Sequence, residues 1–101
     1  MRLTAAEQKI IKREARKYFG RNARVLLFGS RTQDDAHGGD IDLYIETDMD
    51  TPDKIAEAEI GFKTDVQLAM GEQKIDLLVD YPSRTQRSAI FQIARTQGIE
   101  L

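Results

Sequence analysis

Residues 26–46 read LLFGSRTQDDAHGGDIDLYIE, and this stretch predicts two strands joined by a polar segment. The first strand is the apolar run RVLLF at residues 24–28, which Gly29 stops. The second is residues 41–47, IDLYIET, in which apolar and polar side chains alternate as in a strand with one buried face. We expect a helical turn at Ser30, within the polar segment between the two strands.

One helix is predicted before these strands and another after them. Thr4 and Glu7 have the spacing of a capping box, so the first helix should cover residues 4–19. The second should begin at Thr51-Pro52, because proline is favoured in the first helical position after a capping residue. A glycine follows each helix, which is a common C-terminal signal. The apolar positions of the second helix form one stripe: Ile55, Ala58, Phe62, Val66 and Ala69.

A third strand and a third helix complete the predicted elements. The strand is KIDLLV at residues 74–79, and a second capping box, Ser83 with Gln86, should open the helix. We expect this helix to end at Gly98. Three of its apolar residues should share one side: Ile90, Ile93 and Ala94. Some of the other apolar residues near the C-terminal end should stay exposed and mark a partner contact: Phe91, Ile99 and Leu101.

The order helix, strand, strand, helix, strand, helix predicts an α/β (α+β) fold, a small mixed sheet flanked by helices. A length of 101 residues is typical of one domain. No repeat, low-complexity tract or linker divides the sequence. We therefore expect a single domain over residues 1–101.

Composition excludes several kinds of site. The sequence has no cysteine and one histidine, which excludes disulfides, zinc–thiolate sites, cysteine nucleophiles and multi-histidine metal sites. Metal chemistry would therefore rest on carboxylates, the ligands of hard cations such as Mg²⁺. Neither a secretory signal nor an apolar run of about 20 residues is visible, so a cytoplasmic protein that does not contact a membrane is expected.

The charges are unevenly distributed although the net charge is only −2. Acidic residues predominate in residues 34–80, whereas basic residues concentrate near the N-terminal end. Eight of the 15 Lys and Arg residues lie there: Arg2, Lys9, Lys12, Arg13, Arg16, Lys17, Arg21 and Arg24. This pattern fits either a solvated basic helix beside an acidic body or a basic surface that faces an acidic partner.

The candidate catalytic groups are two acidic residues at the start of the second strand, of which the first directly precedes it, and one in the third strand. Residues two apart on a strand point to the same face, so Asp40 and Asp42 should project side by side. Asp76 lies among apolar residues of the next strand, where a carboxylate needs a partner, either a cation or a basic residue such as Lys74. If the two strands pair, the three carboxylates converge as a pair of divalent ions requires.

Gly29 and Ser30 are candidates for binding phosphate. They follow an apolar strand and stand at a predicted helix start. A glycine allows close approach of a ligand to the backbone, and free N–H groups at a helix start favour phosphate. Gly29 and Ser30 could also form a turn that binds no ligand. The phosphate-binding interpretation therefore depends on the carboxylates that follow this pair.

Taken together, these residues resemble the Gly-Ser…Asp-x-Asp motif of the DNA polymerase beta-type nucleotidyltransferase superfamily. The chain is most similar to the minimal nucleotidyltransferases (MNT), and the resemblance spans nearly its whole length. It implies a polymerase beta-like fold in which Asp40, Asp42 and Asp76 bind Mg²⁺ and catalyse transfer from ATP. It also implies that Gly29 and Ser30 hold the triphosphate.

The resemblance further implies an antitoxin that transfers AMP to a hydroxyl of a helical HEPN-type toxin. No direct binding to nucleic acid is expected. Two alternatives stay open from the sequence. One is a small-molecule nucleotidyltransferase subunit of the antibiotic-modifying type, and the other is an antitoxin that acts by binding alone. The three carboxylates argue against the second alternative, because a pure binder has no use for clustered acids.

Overall fold

A computed structural model of the chain describes residues 3–29, 41–71 and 73–101, which form a four-stranded sheet with helices on both faces. The predicted α+β architecture with a mixed sheet is confirmed. In chain order the described elements are α1 (Ala5–Phe19), β1 (Arg24–Phe28), β2 (Ile41–Glu46), α2 (Pro52–Met70), β3 (Ile75–Asp80), α3 (Ala89–Gln97) and β4 (Ile99–Glu100).

The first helix begins at the predicted capping box. The backbone N–H of Glu7 donates to Thr4 Oγ1 at 3.1 Å, and the N–H of Thr4 donates to Glu7 Oε1 at 2.9 Å. These two bonds satisfy amides that would otherwise lack partners at the helix start. α2 begins at Pro52 and ends before Gly71, also as predicted, although the Thr51 side chain makes no capping hydrogen bond.

The strand order is β3-β2-β1-β4. β1 pairs antiparallel with both β2 and β4, whereas β2 and β3 are parallel. Parallel neighbours need a crossover connection, and α2 supplies it. This parallel pair matters for function because it aligns residues of β2 and β3 side by side.

Alternate residues of the strands bury two different faces of the sheet. One face packs against α1 and α2, and its largest fully buried side chains include Ile11, Phe19, Leu27, Leu43, Phe62 and Val66. The other face packs against α3 in a smaller cluster of Leu26, Phe28, Tyr44, Phe91 and Ala94. Among the helices that the structure describes, none is both long and apolar enough to span a bilayer.

The predicted start of the third helix is wrong, because α3 begins at Ala89 and its N-cap is Ser88. The Ser83 amide donates to Asp50 Oδ1 at 2.8 Å instead of starting a helix. Arg84 donates from Nε to the Val79 carbonyl at 3.2 Å. These contacts hold residues 81–88 in a non-helical segment along the end of β3.

The orientation of the third helix also differs from the prediction. Phe91 and Ala94 face the sheet, whereas Ile90 and Ile93 are each 45% exposed. Beyond the helix, Ile99 of β4 pairs with Leu27 of β1. The sequence analysis did not predict β4. Of the residues expected to remain exposed near the C-terminal end, only Ile99 does so clearly, at 37%.

Candidate active site

The sheet face beneath α3 arranges side chains in rows that cross β1, β2 and β3. The register pairs Phe28 with Asp42 and Asp42 with Asp76, and it continues in steps of two residues. The first row is Phe28, Asp42 and Asp76, the second is Leu26, Tyr44 and Leu78, and the third is Arg24, Glu46 and Asp80. α3 covers the second row together with Phe28 of the first, and the carboxylates of the first and third rows lie outside this apolar cluster.

Asp42 and Asp76 are register partners on adjacent parallel strands. Partners in a ladder project from the same face, and neighbouring strands lie about 4.8 Å apart. Asp42 is half-buried and Asp76 is exposed, so a ligand can reach the pair from solvent. The expected pairing of the second and third strands thus places two of the three predicted carboxylates, Asp42 and Asp76, at partner positions. Asp40 and Ser30, the other predicted site residues in this region, lie outside the described residues.

Gly29 lies directly against Asp42. Its φ is +78°, a backbone conformation that residues with a side chain rarely adopt. A Cβ built on Gly29 would collide with Asp42 Oδ2 and stand 3.1 Å from Asp42 Cγ. Because Gly29 has no side chain, the Asp42 carboxylate can occupy the space beside it. The sequence showed a glycine at the end of a strand, but only the antiparallel register, which places Phe28 opposite Asp42, reveals this contact.

The chemistry of the first row suits a hard divalent cation. Two carboxylates on neighbouring strands repel each other unless a cation or a proton lies between them. Carboxylate oxygens are the preferred ligands of Mg²⁺, which keeps several waters and needs few protein ligands. Within the described ranges no group of three His, Asp or Glu residues forms a complete metal site. Asp42 and Asp76 could thus supply two ligands of such a cation, to which Asp40 would add a third.

The carboxylates of the third row are held by protein groups. The Tyr44 hydroxyl donates to Asp80 Oδ2 at 2.9 Å and lies 3.2 Å from Glu46 Oε1. Burial and these carboxylates raise the pKa of Tyr44, so it stays protonated. Arg87 Nε donates to Asp80 Oδ1 at 2.8 Å. A cavity of about 300 Å³ opens here, lined in part by Glu46, Asp80 and Arg95. The sequence analysis assigned no role to Tyr44 and did not predict this network.

Comparison with family models shows the family to which the chain belongs. Residues 8–74 match the model described as Nucleotidyltransferase domain, which covers most of the chain and includes Gly29 and Asp42. No curated protein and no solved structure matches the chain. The chain belongs to the nucleotidyltransferase domain family, and its α+β architecture is consistent with the polymerase beta-like fold.

Proposed function

We propose that this nucleotidyltransferase transfers AMP from ATP to a hydroxyl group of a protein, as the antitoxin of a HEPN-type toxin. The observation that carries the transfer chemistry is the register pairing of Asp42 with Asp76, with Gly29 against Asp42. Family membership supports nucleotidyl transfer in general. The protein acceptor and the antitoxin role come from the resemblance to the minimal nucleotidyltransferases.

The residues would divide the reaction between them. Asp40, Asp42 and Asp76 would hold Mg²⁺, which would neutralise the triphosphate and stabilise charge on the attacking and leaving oxygens. The oxygen of the acceptor hydroxyl forms a bond to the α-phosphorus, and Asp76 accepts the proton of that hydroxyl. The bond from the α-phosphorus to the oxygen shared with the β-phosphate breaks, and pyrophosphate leaves. Gly29 and Ser30 position the triphosphate, and Gly29 also leaves room for the Asp42 carboxylate.

The exposed flank of α3 supports a protein as the acceptor. Arg95 lies on the flank that faces the Glu46–Asp80 cavity. Ile90 is about 140° round the helix from Arg95, so it lies on the flank toward the first row. Ile90 and its neighbour Ile93 are each 45% exposed. An apolar flank beside the carboxylates suits a protein surface better than a polar small molecule.

The cavity in the third row is poorly placed to hold a small acceptor for this reaction. It is lined by Glu46, four residues along β2 from Asp42, which is a distance of about 13 Å. Attack on the α-phosphorus requires the reacting atoms to approach within about 3.5 Å. The separation along β2 therefore disfavours an acceptor that binds only in that cavity while a nucleotide is held at Asp42 and Asp76.

The test is label transfer from α-³²P-labelled ATP to a co-purified HEPN-type helical protein encoded beside this chain. We expect Mg²⁺-dependent labelling of that protein by the wild type and none by Asp42→Asn. Glu57→Gln, which changes an exposed carboxylate on α2, should label normally. Equal labelling by Asp42→Asn would contradict the site. If the wild type gives no labelling and Asp42→Asn still neutralises the partner fully, the protein is an antitoxin that acts by binding alone.

A further inference from the structure

Four basic side chains lie along one face of α1. Lys9, Lys12, Arg13 and Arg16 follow the spacing i, i+3, i+4 and i+7, a span of about 10 Å along the helix. Among the residues that the structure describes, these four line a cavity of about 300 Å³. An adjoining cavity of about 240 Å³ shares Lys12 and Arg16, and it is also lined by Arg24 and Glu100, which form an ion pair at 2.7 Å. We call these four α1 residues the basic face.

The positive charge of the basic face is compensated only in part within the described residues, by Glu14 beside Arg13 and by Glu100 near Lys12. Arg13 Nε forms an ion pair with Glu14 Oε1 at 3.2 Å. In the part of the chain that the structure describes, Lys9, Lys12 and Arg16 form no ion pair. Like charges at i, i+3 and i, i+4 repel, and the basic face contains four such pairs. A negatively charged partner would remove this repulsion.

The basic face lies away from the candidate active site. It adjoins Arg24 at the start of β1, whereas Asp42 pairs with Phe28 at the other end of that strand. Four residues of strand separate these two ends, which is about 13 Å. α1 also packs on the opposite face of the sheet from α3. A partner could therefore occupy the basic face while a nucleotide is bound at the carboxylates.

We propose that the basic face docks an acidic segment of a protein partner. Its length of about 10 Å matches roughly three residues of extended chain or two turns of helix. Surfaces that bind single-stranded nucleic acid combine basic side chains with aromatic ones on which bases stack. None of the described residues that line the two cavities is aromatic. The net charge of −2 also disfavours a polyanion that extends beyond the basic face.

The probe for this proposal is a fluorescein-labelled, glutamate-rich peptide, with a single-stranded oligothymidylate of equal charge for comparison. Fluorescence anisotropy should show peptide binding that weakens as salt increases. The triple variant Lys9→Gln/Lys12→Gln/Arg16→Gln should lose at least about tenfold in peptide affinity. The matched control, Lys54→Gln/Lys63→Gln/Arg95→Gln, has the same net charge but changes other elements, and it should lose less than about twofold.

Tighter binding of the oligothymidylate than of the peptide would overturn the proposal in favour of a nucleic-acid surface. Equal losses in the two triple variants would show that only net charge matters, and would overturn it as well. Absence of peptide binding at low salt would do the same. The measurement uses no nucleotide, and Asp42→Asn should bind the peptide like the wild type. Its outcome is therefore independent of whether the transfer reaction is correct.

Discussion

At the residue scale, Gly29 connects the backbone of β1 to the chemistry of β2. Its positive φ and the Asp42 carboxylate both exclude a side chain at this position. Gly29→Ala should therefore displace the carboxylate and lower the rate of nucleotidyl transfer more than it weakens ATP binding. Steady-state kinetics would show this as a fall in kcat that exceeds any rise in KM.

Gly71→Ala is the matched control for Gly29→Ala. Gly71 also has a positive φ, of +90°, but a Cβ there would meet nothing within 4 Å. Both substitutions should cost about 1 kcal/mol of folding free energy through backbone strain. Only Gly29→Ala should impair transfer. A loss of ATP affinity with unchanged kcat in Gly29→Ala would instead mean that this glycine serves the triphosphate alone.

The sequence predicted the carboxylates but not their surroundings. Asp42 and Asp76 could be recognised because each interrupts an apolar strand, where a carboxylate is unfavourable unless it has a partner. Their pairing follows from the parallel register. The contact of Gly29 with Asp42 could not be predicted, because it depends on how β1 and β2 align across residues far apart in the chain.

At the scale of elements, α1 and α2 cross at a glycine. A Cβ on Gly61 would overlap the ring of Tyr18, coming within 2.8 Å of Cζ. Gly61→Ala should destabilise the protein by about 1–3 kcal/mol through overpacking, despite a gain of about 1 kcal/mol in helix propensity. Chemical denaturation would measure the change. In a Tyr18→Ala background the same substitution should become neutral or stabilising, and a persistent loss there would contradict the steric explanation.

The same crossing predicts a dependence of stability on pH. The Tyr18 hydroxyl and then Lys17 Nζ donate to Asp65 Oδ2, and together they lower the pKa of Asp65 below its ordinary 3.8. A lowered pKa stabilises the fold above about pH 4, and this contribution is lost as the pH falls through the folded-state pKa. Thermal melts from pH 5 downward should therefore converge for wild type and Asp65→Asn. A constant difference between them would refute this linkage.

Element boundaries show where local patterns suffice and where they fail. Thr4 and Glu7 cap α1 as predicted because both partners of that motif lie within one turn. Ser83 and Gln86 have the same spacing, but Asp50, a residue distant in sequence, holds the Ser83 amide. β4 has only two residues, Ile99 and Glu100, which is too short to show a period.

At the scale of the whole molecule, the most exposed large apolar residues of the described chain lie on two separate helices. Ile90 and Ile93 are on α3 near the carboxylate row, whereas Ile60 and Leu68, 69% and 81% exposed, are on α2. Ile90→Glu/Ile93→Glu should leave the fold and ATP binding intact but weaken the complex with the acceptor protein. Size-exclusion chromatography of the co-expressed pair would report it.

Ile60→Glu/Leu68→Glu is the matched control for the α3 variant, since it adds the same charge to an exposed apolar pair on the other side of the sheet. This control should leave the complex unchanged. Loss of the complex in the α2 variant alone would place the acceptor on α2, where the proposed geometry would not deliver its hydroxyl to Asp76.

The most direct test of the central claim is Mg²⁺-dependent ATP binding measured by isothermal titration calorimetry, because it requires no acceptor. The wild type and Glu57→Gln should bind ATP more tightly with Mg²⁺ than without it. Asp42→Asn and Asp76→Asn should lose most of that Mg²⁺-dependent gain while keeping wild-type circular dichroism spectra. An undiminished Mg²⁺-dependent gain in Asp42→Asn and Asp76→Asn would contradict the assignment of these carboxylates as the metal ligands of a nucleotidyltransferase.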